Sequence, residues 1–472
     1  MRNKILTFLL LLMTSSFAPV CAQIPNTLTI DEKIYGLSKF WSEVNYNFVY
    51  LYKIDRNEWD SAYKKAITNI RNTTNDYEYF RQLQKLCALL KDGHTQVYIP
   101  DEIQNRLLTT DFGEYRLFLT NVQGKVYVYN VNMSKAKEIP MGSELLKING
   151  LTTSAYMEKY LKPYISSSTE SSLIDKATFN LLTGFEGEKY NIEIKTPKGE
   201  IKRFTITHAK SYEKELAAEA LPDRKIFEFK WLENNIAYLA IRSFNDASVV
   251  SEFESKLSEL KKAKSIILDI RNNGGGSGRN ALNIAKYFIA NDTIYPAKNY
   301  SRKIIPSDRA IGSFLSRQDT VNGKAQWGIS KEDATAYYKS YMGTQFHNYE
   351  YKPIISQSEL KLSVPTVIMT NNYTASAAED FLIYLYNESN IIRIGDYSNG
   401  STGQPLEIEL PGNASAWICT KKVTLANGEE FVGIGIKPHI QISRNLNDVL
   451  YPLKYDSQLQ ESLRYLKANR NK

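Results

Sequence analysis

Between Ile226 and Arg444 the chain alternates short apolar runs of strand length with runs of helical periodicity, and this restricts the fold more than any other feature. Asn235–Ile241, Ser265–Ile270 and Pro365–Thr370 read as buried strands, followed by helical patterns over Val249–Lys262, Ala281–Ile289 and Ala377–Asn387. Strands joined through helices lie parallel, so the polar segments beyond their carboxyl ends gather along one edge of a sheet. Two of those corners stand out: Asp269-Ile270-Arg271-Asn272-Asn273-Gly274-Gly275-Gly276-Ser277-Gly278 and Asn371-Asn372-Tyr373-Thr374-Ala375-Ser376-Ala377-Ala378-Glu379. The intervening Arg302–Leu360 is long and rich in tyrosine, as a rim or lid insertion would be.

The chain of 472 residues exceeds one ordinary core, and its 43% hydrophobic and 23% charged content is that of folded domains. Arg2 and Lys4, the apolar run Ile5–Met13 and the small-residue site Val20-Cys21-Ala22 form a secretory signal peptide over residues 1–22. The run is too short to span a bilayer, which takes about 20 apolar residues. The chain is therefore expected to be exported, periplasmic or extracellular, with lipid anchoring at Cys21 as the alternative. Residues 23–110 read as a helical bundle, with Leu37, Phe40, Trp41 and Val44 on one face and Trp59, Tyr63, Ala66 and Ile67 on another. Residues 111–210 read as a β module with strands near Arg116–Leu119, Lys125–Val131, Glu144–Ile148, Tyr190–Lys195 and Lys202–Thr207, and one helix near Tyr156–Leu161. An α/β core over 211–445, with its insertion near 302–360, and a tail over 446–472 complete a multidomain α/β chain.

Four histidines, none paired at helical spacing, and no Cys-x-x-Cys imply neither a metal nor another cofactor. Lys and Arg number 59 against 51 Asp and Glu, but no basic block concentrates the excess, so no nucleic-acid partner is expected. Gly276–Ala281 satisfies the G-x-G-x-x-[G/A] dinucleotide fingerprint, yet the strand before it ends in polar residues where that turn would place glycine. The other reading is a bend whose bare amides face a cleft, as an oxyanion hole requires. Ser376 with Glu379 three residues later is a capping box by spacing, while a serine at a strand-to-helix corner also suits a nucleophile. His94, after Asp92-Gly93 at a helix end, compensates a helix dipole or serves as the base such a serine needs.

Lys91-Asp92-Gly93-His94-Thr95, the triple-glycine corner, Thr374-Ala375-Ser376-Ala377-Ala378-Glu379 and Gly433-Ile434-Gly435-Ile436-Lys437-Pro438 occur in that order. Together they resemble the tail-specific (C-terminal processing) serine peptidase family, in its tricorn-core-like branch. The likeness implies a crotonase/ClpP-like ββα core and no cofactor. It also implies a serine-type endopeptidase acting on unstructured polypeptides. Ser376 would be the nucleophile and His94 its base, and the amides of Ala377 and of Gly275 or Gly276 would form the oxyanion hole. Gly142-Ser143-Glu144-Leu145-Leu146-Lys147-Ile148-Asn149-Gly150 resembles the G-D-x-I-x-x-I-N-G segment of PDZ domains, with Ser143 in place of the usual Asp. The module then either binds peptide or packs against its neighbour. Where related processing peptidases carry a lysine base, this chain has Ser401, and His439 stands where Asp is usual. Glu430 is the nearest match to a further glutamate of the tricorn branch. With histidine as base, activity is expected to fall on the acid side with an apparent pKa of about 6 to 7. The same scaffold without catalysis would be a peptide-binding protein.

Overall fold

The computed structural model describes residues 24, 26–356, 358 and 360–469. The signal peptide expected over 1–22, Cys21 included, lies outside the described residues. Six strands form the central sheet in the order Phe227–Leu232, Ile236–Ile241, Ser265–Asp269, Thr366–Thr370, Ile391–Gly395 and Ile440–Gln441. The first pair is antiparallel and every later pair parallel. Ile236–Ile241, Ser265–Asp269 and Thr366–Thr370 are buried at every position, as strands covered on both faces must be. Helices Gly278–Ala285 and Ala377–Tyr384 cover one face through Ile284, Phe381 and Leu382. Helix Ser457–Ala468 covers the other, setting Leu466 against Ile267, Val367 and Ile394. Arg271 fastens that last helix, bonding Asp269 at 2.7 Å and Asp456 at 2.8 Å. The register Asp269↔Met369 brings the ends of two neighbouring strands level, so the two polar corners adjoin.

Helices Ile30–Asn47 and Arg56–Ile70 carry the two periodic faces, and Asp76–Ala88 follows them. Thr29, Asp55 and Asn75 cap them by accepting the amide three residues on. Their apolar faces share one buried cluster with the face of the sheet that Gly278–Ala285 and Ala377–Tyr384 cover. Strand Gln96–Tyr98 follows these helices and pairs with Ala414–Cys419, which itself pairs with Pro405–Leu410.

The β module holds strands Tyr115–Val122, Lys125–Val131, Glu144–Ile148, Lys189–Lys195 and Ile201–Thr207 within a seven-stranded sheet. The sequence reading allowed it one helix, and the structure adds Glu170–Phe179. Ser166-Ser167-Ser168-Thr169-Glu170-Ser171-Ser172 has the composition of a loop, but burial of Asp175, Ala177 and Thr178 holds the helix in place. Helix Val249–Lys262 is likewise corrected to two pieces, Ser248–Glu254 and Leu257–Leu260. Among the described residues no helix is long and apolar enough to cross a membrane. Cys87 and Cys419 are buried free thiols on either side of Thr95.

Candidate active site

Ser376 sits between strand Thr366–Thr370 and helix Ala377–Tyr384 with φ 54° and ψ −124°, a conformation that disfavours a residue with a Cβ. Several bonds fix it there. Thr374 Oγ1 donates to the Ile270 carbonyl at 3.0 Å, and the Ala375 amide to the Asn273 carbonyl at 3.0 Å. The Ser376 amide donates to the Ser401 carbonyl at 3.0 Å. Gly275 lies against this corner at φ 102°, where an added Cβ would stand 2.7 Å from Ser376 Cβ and 2.8 Å from the Ala377 nitrogen. The Gly275 amide is committed to Asn273 Oδ1 at 2.9 Å, which distinguishes it from the Gly276 and Ala377 amides named with it.

His94 arrives from the opposite side. Helix Asp76–Ala88 ends, Lys91 turns the chain at φ 50°, and strand Gln96–Tyr98 docks onto Ala414–Cys419. Thr95 locks the turn, donating to Asp92 Oδ2 at 2.7 Å and accepting the Cys419 amide at 3.0 Å. His94 Nδ1 lies 2.7 Å from Ser401 Oγ. Ser401 therefore touches both expected residues, Ser376 through its carbonyl and His94 through its hydroxyl. Gly93 permits the approach, because a Cβ there would stand 2.6 Å from Ser401 Oγ. Burial, with Lys176 and Lys421 nearby, lowers the His94 imidazole from 6.5 to about 4. The expectation of an ordinary imidazole titrating near 6 to 7 is corrected accordingly.

Glu379 is more than half of a cap. Its Oε2 accepts the Ser376 amide at 3.3 Å, while its own amide donates to the Ser376 carbonyl at 2.7 Å. The carboxylate is fully buried. It also accepts Ser401 N–H at 3.1 Å, Gly400 N–H at 2.7 Å and Ser398 Oγ–H at 2.5 Å. Burial pushes its pKa up to about 8 against these hydrogen bonds. Spacing signalled its link to Ser376; nothing in the sequence signalled its link to a loop 19 to 22 residues away.

Glu430 stands apart from this cluster, paired with Lys422 and with Lys53 at 3.2 Å. His439 accepts the Arg393 amide on Nδ1 at 2.9 Å, a structural use. The unforeseen helix Glu170–Phe179 meets the site from the β module. Asp175 accepts Asn372 Nδ2 at 2.6 Å and Asn121 Nδ2 at 2.7 Å, and Thr169 Oγ1 donates to the Asn399 carbonyl at 3.2 Å. Behind the corner lies a cavity of ≈ 1140 Å³ lined by Asp175, Arg242, Tyr373, Ile434 and Tyr455; Ser376, His94 and Ser401 do not line it.

A strained serine at a strand-to-helix corner, faced by a glycine bend, is an arrangement that serine hydrolases use. Residues 235–442 match the model of Peptidase family S41. The carboxy-terminal processing protease CtpA of Bacillus subtilis (strain 168) is 25% identical over 211 residues, covering 44% of this chain and 35% of that protein. A protein of Chlamydia muridarum (strain MoPn / Nigg) is 20% identical over 220 residues, 40% of this chain and 36% of that one. The chain thus spans about a third of the length of these curated relatives. Among solved structures, mature CPAF complexed with lactacystin superposes with a TM-score of 0.65 at 14% identity, over 93% of this chain and 99% of that one. A putative peptidase from Parabacteroides merdae ATCC 43184 gives 0.51 at 16%, over 93% and 97%. These two likenesses concern the fold. Residues 235–442 thus match Peptidase family S41, and the chain is similar to a carboxy-terminal processing protease.

Proposed function

We propose that the protein is an exported serine endopeptidase that hydrolyses peptide bonds in unstructured polypeptide segments. The observation that carries the reading is the meeting at Ser401 of a strained Ser376 corner and a buried His94 imidazole. Ser401 Oγ lies 2.7 Å from His94 Nδ1; in the tautomer with the proton on Nδ1 it accepts that N–H and leaves Nε2 as the basic nitrogen. Nε2 takes the Ser376 hydroxyl proton as the oxygen attacks the scissile carbonyl carbon. The resulting oxyanion is received by the Gly276 and Ala377 amides. Collapse expels the amine, protonated from His94, and water then releases the acyl group by the reverse route. A neutral His94 suits this work, since its low pKa leaves the imidazole unprotonated across the physiological range.

Residues 111–210 are assigned as a PDZ-like module. Helix Glu170–Phe179 lies beside strand Tyr115–Val122, whose outer side pairs with Asp111–Phe112 at Tyr115 and Arg116, and the edge beyond Arg116 would take extended peptides by β-augmentation. Export follows from the leader over residues 1–22. A catalytically silent peptide-binding protein is the second reading. It draws support from His94 Nδ1 facing a serine hydroxyl where a carboxylate would stabilise an imidazolium better.

Incubating the mature chain with a mixture of denatured proteins and sequencing the new termini separates the two readings. New internal termini that vanish with Ser376→Ala are expected; an unchanged mixture with a well-folded wild type supports the silent reading.

A further inference from the structure

The Glu379 carboxylate gathers four donors from two separate segments: the Ser376 amide on the serine corner, and Ser398 Oγ, the Gly400 amide and the Ser401 amide on the opposing loop. Two donors fall on each oxygen, and all four bonds need an acceptor. Ser398 is fixed a second time, its hydroxyl accepting the Ile436 amide at 2.6 Å. Ser401, held by its amide on Glu379 and by its carbonyl on Ser376, then presents its hydroxyl to His94 Nδ1. One buried carboxylate therefore joins the nucleophile corner to the loop that orients the base.

We propose that ionised Glu379 is the positioning residue of the site. It assembles Ser376, Ser401 and His94 when charged and loosens them when protonated, so that it sets the acid limb of activity. This inference rests on the peptidase reading for its consequence in turnover, but not for its structural part. A carboxylic acid carries a proton on one oxygen: on Oε2 it displaces the Ser376 or Ser401 amide, and on Oε1 it reverses the Ser398 hydroxyl bond and weakens acceptance of the Gly400 amide. Among the described residues no cation contacts the carboxylate. The neighbouring titratable groups do not touch this carboxylate: Asp380 on the same helix interacts with Lys421, Asp92 bonds Thr95 and the His94 amide, and Lys176 and Lys421 bear on His94. His94 itself reaches Glu379 only through Ser401. Burial raises Glu379 to about 8, Asp92 and Asp380 to about 6, and lowers His94 to about 4, so of these groups Glu379 alone hydrogen-bonds both the Ser376 corner and the Ser401 loop while titrating above pH 7.

Two measurements on the full mature chain test this. In wild type, kcat/KM should rise with pH through an apparent pKa of about 7 to 8, well above an unperturbed carboxyl. Glu379→Gln should lower it about 10- to 100-fold at pH 8.5 and abolish that limb. A Glu379→Gln enzyme that keeps the wild-type limb would overturn the proposal. The second measurement needs no turnover. In histidine-15N-labelled Ser376→Ala protein, the His94 Nδ1 signal should step with the same midpoint, and adding Glu379→Gln should remove the step. A step that persists unchanged contradicts the proposal even in a protein with no peptidase activity, whereas loss of the step supports it there. If Glu379→Gln does not fold, Ser398→Ala removes a single donor and should move the midpoint upward. An unmoved midpoint in a folded Ser398→Ala protein would equally overturn it.

Discussion

Ser277 and Ser376 begin helices after neighbouring parallel strands, and they are built in opposite ways. Ser277 has φ −83° and ψ 117°, and its hydroxyl accepts the Asn280 amide at 3.4 Å, as an ordinary N-cap does. Ser376 is held at φ 54°, and the Glu379 carboxylate, not a relaxed serine backbone, organises the start of its helix. Residue type, position and strand order are the same. The difference lies in the surroundings: Ser376 is pinned from the glycine bend and from the loop of Ser401 at once, and backbone strain persists only where neighbours over-determine it. A serine that merely capped its helix would have no cause to be strained.

The contrast is broken most severely at the hydroxyls. Ser376→Ala should lower kcat/KM by at least about 10⁴-fold, with His94→Ala close behind because the pair acts as a unit. Ser277→Ala should stay within about threefold while losing about 1 kcal/mol of stability with its cap. Peptide hydrolysis and chemical denaturation on the three variants decide this, and comparable activity losses at both serines would erase the distinction.

The next effect is at Gly275. Alanine there places a Cβ 2.7 Å from Ser376 Cβ at a φ of 102°, so the corner must shift. Turnover should fall about 100-fold, and stability by about 2 to 3 kcal/mol, a combined cost of strain and crowding. A Gly275→Ala enzyme of wild-type rate would mean that the glycine bend does not brace the nucleophile.

The smallest effect has opposite signs at the two positions. Ser376→Gly relieves a positive φ and should raise stability by about 1 kcal/mol. Ser277→Gly should lower it by about a few tenths. Equal signs in denaturant melts would show that Ser376 is not strained in solution.

The sequence made the alternating core legible because its strands are buried on both faces and therefore continuously apolar. Ser265–Asp269 and Thr366–Thr370 fall within a residue of their expected ends. His94, Ser376 and the glycine bend were legible as punctuation at element boundaries. What joins them was not. Ser401 read only as the substitute for a lysine, and its contact with His94 depends on docking Gln96–Tyr98 against Ala414–Cys419, a pairing over more than 300 residues that no local pattern encodes. Glu379 was visible through its spacing from Ser376, but its three bonds to residues 398–401 arise from tertiary packing. Helix Glu170–Phe179 was hidden by a serine-rich start, since its stability comes from burial more than from propensity. Glu430 was sought from a family pattern, and its partners Lys53 and Lys422 come from the turn Leu51–Lys53 and from strand Lys422–Thr424.

The central claim, that Ser376 is a nucleophile activated by His94, is tested most directly by reacting the mature chain with a fluorophosphonate at pH 8 and mapping the adduct by peptide mass. The account predicts one phosphonylated residue, Ser376, with labelling abolished in Ser376→Ala and slowed at least about 10³-fold in His94→Ala. An adduct on another serine, or labelling of Ser376 at an undiminished rate without His94, would contradict it.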